Sequence, residues 1–124
     1  MAKNIALKIY IPEKIILDEK VYRVVLPCGG KTLTVIEDRA PTLMPLDVGL
    51  IKILGDENQV TDEYFVSGGA ADIKENTCTI LAEAVFKRAE IDLAKARELC
   101  TEFRNPFYEW LVKFFEDEEK FKKH

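Results

Sequence analysis

The chain has very little histidine: the only one among its 124 residues is His124, the last. Acid–base chemistry near neutral pH leans on imidazole, so a histidine-assisted serine or cysteine nucleophile has no base here. Cys28, Cys78 and Cys100 form no CxxC pair. That removes the usual tetrahedral zinc arrangement and leaves three reduced, mostly buried thiols as the expected state, with no metal and no cofactor. A Gly-x-Ser-x-Gly elbow, a P-loop and a His-Glu-x-x-His helix are all missing. Positive charge is short as well. The net charge is −4, the reverse of the basic footprint that nucleic acid requires, so no nucleic-acid partner is expected. Residues 1–86 hold 9 Lys+Arg against 13 Asp+Glu, while residues 87–124 hold 9 of each. No run approaches the roughly 20 apolar residues of a membrane span. The opening Met-Ala-Lys-Asn lacks the apolar core of a secretory signal. A cytosolic protein is expected, with any membrane association indirect.

What the chain does have is a core: 48% of its residues are hydrophobic and 32% charged. From residue 5 to about 83 the pattern is that of consecutive short strands. Ile5, Leu7, Ile9 and Ile11 alternate with Ala6, Lys8 and Tyr10, the period of a half-buried strand. Pro12 stops this run, since proline cannot donate to a ladder. Val21–Leu26 is rich in β-branched residues and ends at Pro27. Thr32–Ile36, Leu50–Leu54, Tyr64–Val66, Ala70–Lys74 and Thr77–Ala82 are further candidates. Turn signals lie between them: Cys28-Gly29-Gly30, Gly55-Asp56-Glu57-Asn58, Ser67-Gly68-Gly69 and Glu75-Asn76. These predict a mainly β domain over 1–86, an antiparallel sandwich or barrel of about 8–10 short strands.

After Ala82 the period lengthens to that of a helix. Asp92 is a suitable N-cap, and Leu93, Ala96, Leu99, Cys100 and Phe103 form one apolar stripe. Arg104-Asn105-Pro106 interrupts it; Asn105 can cap a second helix, with Pro106 at its first position. Phe107, Trp110, Leu111, Phe114, Phe115 and Phe121 line one face of that helix. Glu109 near its start and Lys122, Lys123 and His124 at its end suit the helix dipole. The spacing predicts an antiparallel two-helix hairpin over 87–124, too short to be stable alone in water.

Clusters that could carry chemistry have plainer readings. Asp18-Glu19, Asp56-Glu57 and Asp62-Glu63 are expected at strand ends in solvated turns, and Glu116-Asp117-Glu118-Glu119 on the wet face of a helix. Ser67-Gly68-Gly69 is followed by no Lys-Ser/Thr and no helix, so a strand-linking turn is expected rather than a phosphate loop.

The order of motifs resembles the epsilon subunit of F-type ATP synthases (delta in mitochondrial naming) over nearly the whole chain. Ile11-Pro12-Glu13, Asp18-Glu19 and Val21-x-x-Val24-Val25-Leu26-Pro27 are similar to that family's opening strands. Ala40-Pro41-x-Leu43 and Gly49-x-Ile51-x-Ile53 follow. Phe65 with the structural motif Val66-Ser67-Gly68-Gly69, then Asn76-x-x-Thr79-Ile80-Leu81-Ala82, is the most specific piece. Glu90-Ile91-Asp92 leads into the helical tail. The resemblance implies a non-catalytic rotor subunit whose sandwich binds the gamma subunit and rests on the polar loops of the c-ring. It implies a peripheral place on the cytoplasmic face of a bacterial inner membrane. It also implies a hairpin able to extend toward the catalytic beta subunits and restrain ATP hydrolysis.

The chain departs from the family pattern at two places. The ring-facing loop, usually close to GELGILPGH, reads Lys31-Thr32-Leu33-Thr34-Val35-Ile36-Glu37-Asp38-Arg39, with Lys31, Thr32, Glu37, Asp38 and Arg39 as its polar contacts. This favours, as the alternative, a stand-alone β-sandwich binding or regulatory module on the same fold. The family's ATP-sensing motif appears as Ile91-Asp92-Leu93-Ala94-Lys95-Ala96. There Asp92 and Lys95 would form a weak nucleotide site, lysine lacking arginine's bidentate fork. The aromatic, acidic last helix is expected to hold down on the sandwich and to inhibit weakly or not at all.

Overall fold

The computed structural model describes residues 2–122, with Lys122 as backbone only. Lys123 and His124, expected at the end of the last helix, lie outside the described residues. The chain divides into two compact units, Met1–Lys87 and Arg88–His124.

The first unit holds eight strands: β1 (Ile5–Ile11), β2 (Lys14–Val21), β3 (Arg23–Cys28), β4 (Lys31–Val35), β5 (Thr42–Leu54), β6 (Val60–Lys74), β7 (Thr77–Leu81) and β8 (Val85–Lys87). The ladder runs β2-β1-β7-β6-β5-β3-β4, with β8 also on β6. Every pairing is antiparallel except β1 with β7, which is parallel from Ala6↔Thr77 to Tyr10↔Leu81.

β5 and β6 make this a sandwich. They span 13 and 15 residues, and each serves both layers. The start of β5 pairs with the end of β6, from Thr42↔Ile73 to Leu46↔Gly69, and there β6 also pairs with β7. Beyond Val48↔Ser67 the other halves pair with each other, while β5 takes β3 and β6 takes β8. One layer is thus β2-β1-β7-β6-β5, the other β8-β6-β5-β3-β4. Burial shows the crossing. Along β5 the inward positions change from Met44 and Leu46 to Gly49, Ile51 and Ile53. Along β6 they change from Tyr64 and Val66 to Ala71 and Ile73. A strand's side chains alternate between faces, so each strand skips one position where it passes between layers. In β6 the skip falls at Gly68 (φ +92°) and Gly69 (φ +140°), backbone that glycine adopts readily.

The Ser67-Gly68-Gly69 turn expected from the sequence is therefore corrected: the triplet lies inside β6 and bends one strand instead of joining two. Asp18-Glu19 and Asp62-Glu63 likewise sit within β2 and β6, not in strand-end turns. Pro45 is tolerated within β5 because that half pairs only with β6 and forms the edge of its layer.

Between the layers lies one cluster built on Ile5, Leu7, Ile9, Val24, Leu26, Ile51, Val66 and Ile80, each side chain stabilising the fold by about 1.5–3 kcal/mol through burial. Cys78 is in this cluster. Burial, with a smaller contribution from the Asp72 carboxylate, pushes its thiol up from 9.0 to about 12.

In the second unit a short 3-10 turn (Arg88–Glu90) precedes α1 (Leu93–Glu102) and α2 (Pro106–Lys122). The caps are those expected. Asp92 Oδ1 accepts from Lys95 N at 2.9 Å, and Asn105 Oδ1 accepts from Phe107 N at 2.8 Å. The helices pack on each other, with Ala96, Phe107, Leu111 and Phe115 buried. Phe103 and Phe121, expected on the apolar stripes, are 52% and 83% exposed. Phe103 follows the last residue of α1 as its C-cap, and Phe121 is next to last in α2.

Candidate functional site

Register locates the most distinctive surface of the first unit. On the outward face of the β2-β1-β7-β6-β5 layer, Ile15 pairs with Tyr10, Tyr10 with Leu81, Leu81 with Ala70 and Ala70 with Pro45. Directly opposed residues on one face are side-chain neighbours, so these five make a continuous apolar row across all five strands. The next row reads Asp18, Lys8, Thr79, Asp72 and Leu43. Ile15 and Leu81 are each 56% exposed and Leu43 is 77% exposed. Scattered surface aliphatics need no explanation; a row spanning a whole layer marks an interaction face. Reading the sequence as half-buried strands missed this face, although a signal was there. Ile9-Tyr10 and Ile80-Leu81 place a large apolar residue on the nominally wet face directly after one on the dry face.

The row borders a half-open hollow of about 350 Å³. Tyr10, Ile11 and Pro12 form one wall, Leu81 and Ala82 another, and the backbone of Gly68 and Gly69 the floor. Its shape is fixed locally. Ser67 N donates to Ala84 O at 3.1 Å and Ser67 Oγ accepts from Ala84 N at 3.0 Å. Ala82 N donates to Tyr10 O at 3.1 Å. Gly69 passes so close to β7 that a Cβ there would sit 2.1 Å from Leu81 O. Of the Val66–Gly69 motif, Val66 belongs to the core, Ser67 clasps Ala84 in the link between β7 and β8, and the glycines leave the hollow open.

The residues expected to meet a ring do not form one loop. Lys31 and Thr32 open β4 beside the Gly29-Gly30 turn, whereas Glu37, Asp38 and Arg39 follow its far end. The strand expected over Thr32–Ile36 is β4, which pairs with β3 over residues 31–35, so the polar residues of the 31–39 stretch sit at its two ends and not in one continuous loop. The second group is pinned: Asn4 Nδ2 donates to Glu37 Oε1 at 2.8 Å, and Asp38 N donates to Asn76 Oδ1 at 2.7 Å. Arg39 Nε is buried and has no hydrogen-bond partner among the described residues.

The expected nucleotide pair is occupied locally. The Asp92 carboxylate caps α1, and Lys95 Nζ lies 4.0 Å from Glu98 Oε1. In the same unit the Arg88 guanidinium pairs with Glu118 and lies 5.2 Å from the centre of the Phe114 ring. Arg97 reaches Glu116 at 3.3 Å. Among the described residues no three His, Cys, Asp or Glu side chains group to hold a metal, and no helix is long and apolar enough to cross a membrane.

Comparison with known proteins gives one consistent picture. A family model described as the ATP synthase, Delta/Epsilon chain, beta-sandwich domain matches residues 4–88. The ATP synthase epsilon chain of Rhizobium meliloti is 34% identical over 92 residues, covering 74% of this chain and 68% of that one. That of Granulibacter bethesdensis is 37% identical over 93 residues, covering 75% and 68%. Among solved structures, a chain of the Euglena gracilis mitochondrial ATP synthase, OSCP/F1/c-ring, superposes with a TM-score of 0.67 at 22% identity, over 84% of this chain and 66% of that one. A chain of the Tetrahymena thermophila mitochondrial ATP synthase central stalk and c-ring gives 0.61 at 17% identity, over 92% and 95%.

Proposed function

Because the chain belongs to the delta/epsilon-chain family of ATP synthases, we propose that it works as a non-catalytic central-stalk subunit of a rotary ATP synthase, docked through the outward face of its first layer. The row Ile15–Tyr10–Leu81–Ala70–Pro45 carries this reading: a soluble sandwich gains nothing from such a face unless a partner covers it. The partner is the gamma subunit, the shaft that turns within the catalytic head. Polar residues off the row, at the end holding Glu37, Asp38 and Arg39, meet the polar loops of the c-ring; Lys31 and Thr32, at the other end of β4, take a smaller part. Through that ring the subunit sits peripherally on the cytoplasmic face of a bacterial inner membrane.

The helical unit adds little restraint on ATP hydrolysis. Ala96, Phe107, Leu111 and Phe115 are buried, and Arg88 and Arg97 are engaged with Glu118 and Glu116, which leaves fewer groups to engage the catalytic beta subunits. The Asp92–Lys95 pair serves the start of α1 rather than a nucleotide.

Co-expression with the cognate gamma subunit, followed by size-exclusion chromatography, tests the docking. A single co-eluting species is the expected result, and separate elution overturns the reading. Truncation after Asn105 in the reconstituted complex tests the helices: ATP hydrolysis should change less than about twofold, and a marked gain would show that the hairpin inhibits.

A further inference from the structure

The hollow beside the apolar row has a more specific use. Resting on the gamma-docking reading, we infer that the notch at Gly68–Gly69 is an anchor socket that receives one large apolar side chain of the shaft, an aromatic or branched aliphatic residue flanked by lysine or arginine. Size, lining and charge all support this.

At about 350 Å³ the notch lies at the low end of the roughly 300–1,000 Å³ range of ligand clefts, room for one bulky side chain. Tyr10, Ile11, Pro12, Leu81 and Ala82 make its walls apolar. The hydroxyl of Ser67 is already engaged with Ala84 N, so it does not compete for the guest. Hot spots at interfaces are side chains of this kind seated in dehydrated pockets and ringed by contacts that keep water out. The row from Ile15 to Pro45 supplies that surround.

Charge identifies the rest of the guest segment. Asp18 and Asp72 stand in the adjoining row, where Lys8 faces Asp18 and Lys74 shares the outward face with Asp72. Glu83 lines the notch itself, is exposed and makes no ion pair among the described residues. An acidic residue at the edge of an apolar notch complements an apolar anchor with a basic neighbour, and such rims act mainly on association rate and specificity.

The notch is also a consequence of the fold. β6 crosses between layers at its paired glycines, and their missing side chains open the hollow beside the apolar row. Docking there engages both layers at the strand that joins them.

Binding of the chain to the purified gamma subunit, measured by surface plasmon resonance, reads the anchor. Leu81→Glu should weaken binding at least tenfold, while Val60→Ser, an exposed apolar loss elsewhere (49% exposed), should leave it unchanged. Glu83→Lys should slow association severalfold at low salt, with the difference fading at high salt. Should Leu81→Glu fail to keep the wild-type melting temperature, p-benzoylphenylalanine placed at position 81 gives an independent readout in the assembled complex. Its crosslink should fall on a gamma segment carrying a large apolar residue next to a base. Wild-type affinity in Leu81→Glu, or a crosslink to any other subunit, overturns the socket while gamma docking stands. No binding by the wild-type chain overturns the docking reading itself.

Discussion

Replacing Gly69 by alanine should be among the most damaging single-atom additions to the sandwich, and the size of the effect follows from the geometry. At φ +140° an L-residue pays a backbone cost of about 1–2 kcal/mol. A Cβ there would lie 2.1 Å from Leu81 O and 3.1 Å from Ala82 Cα, both backbone atoms that no rotamer change can move. β6 and β7 must part by about 1 Å to restore ordinary contact. That loosens the Ala70↔Leu81 pairing and one or two ladder hydrogen bonds worth about 0.5–1.5 kcal/mol each. The total is about 2–4 kcal/mol. Gly30→Ala is the matched control: its φ is +76° with nothing within 4 Å of the added carbon, so only the backbone cost of about 1–2 kcal/mol remains. Urea unfolding followed by the far-ultraviolet sheet signal measures both, the difference appearing as a shift in midpoint at constant slope. If Gly30→Ala costs as much as Gly69→Ala, the account of Gly69 as the tight crossing is wrong.

Other consequences are as direct. Cys78 should resist an aromatic disulfide reagent at pH 8 in the native protein, with Cys28 and Cys100 reacting first, because only the thiolate attacks. With its thiol raised from 9.0 to about 12, the contribution of Cys78 to stability is fully present below pH 9 and is lost as pH climbs from 9 toward 12, where the unfolded chain sheds the proton first; a wild-type urea midpoint that falls no further than that of Cys78→Ala as pH rises above 9 would deny this. Asp92→Ala should destabilise α1 by about 1 kcal/mol and Asp92→Asn by far less, since asparagine caps as well; circular dichroism melts separate the two. Arg88→Ala removes the Glu118 pair and the Phe114 stack together, a loss of about 1 kcal/mol. Amide exchange in the second half of α2 should quicken about fivefold.

Elements with a single period were legible in the sequence. β1 showed in the alternation of Ile5, Leu7, Ile9 and Ile11, and both helix starts showed in Asp92 and Asn105-Pro106, because local chemistry alone decides them. What escaped was set by tertiary context. β2 is an edge strand whose charges, Asp18, Glu19 and Lys20, suit a solvent-facing rim, and so resemble a loop. β5 and β6 change phase midway, which breaks the alternation and makes each look like a fragment; Pro45 and the paired glycines then imitate punctuation. The apolar row was hidden for a related reason: Tyr10, Pro45 and Leu81 are far apart in sequence, and only the register lines them up.

The two strands that run through both layers also decide how the body yields under load. Plates held together by side-chain packing alone can slip, because apolar contacts have no preferred direction and re-form after a small slide. Here any slippage would have to stretch the covalent backbone of β5 and β6 at Asp47 and Gly68. A twisting force on one plate therefore reaches the other through main-chain bonds, and the two plates answer it together.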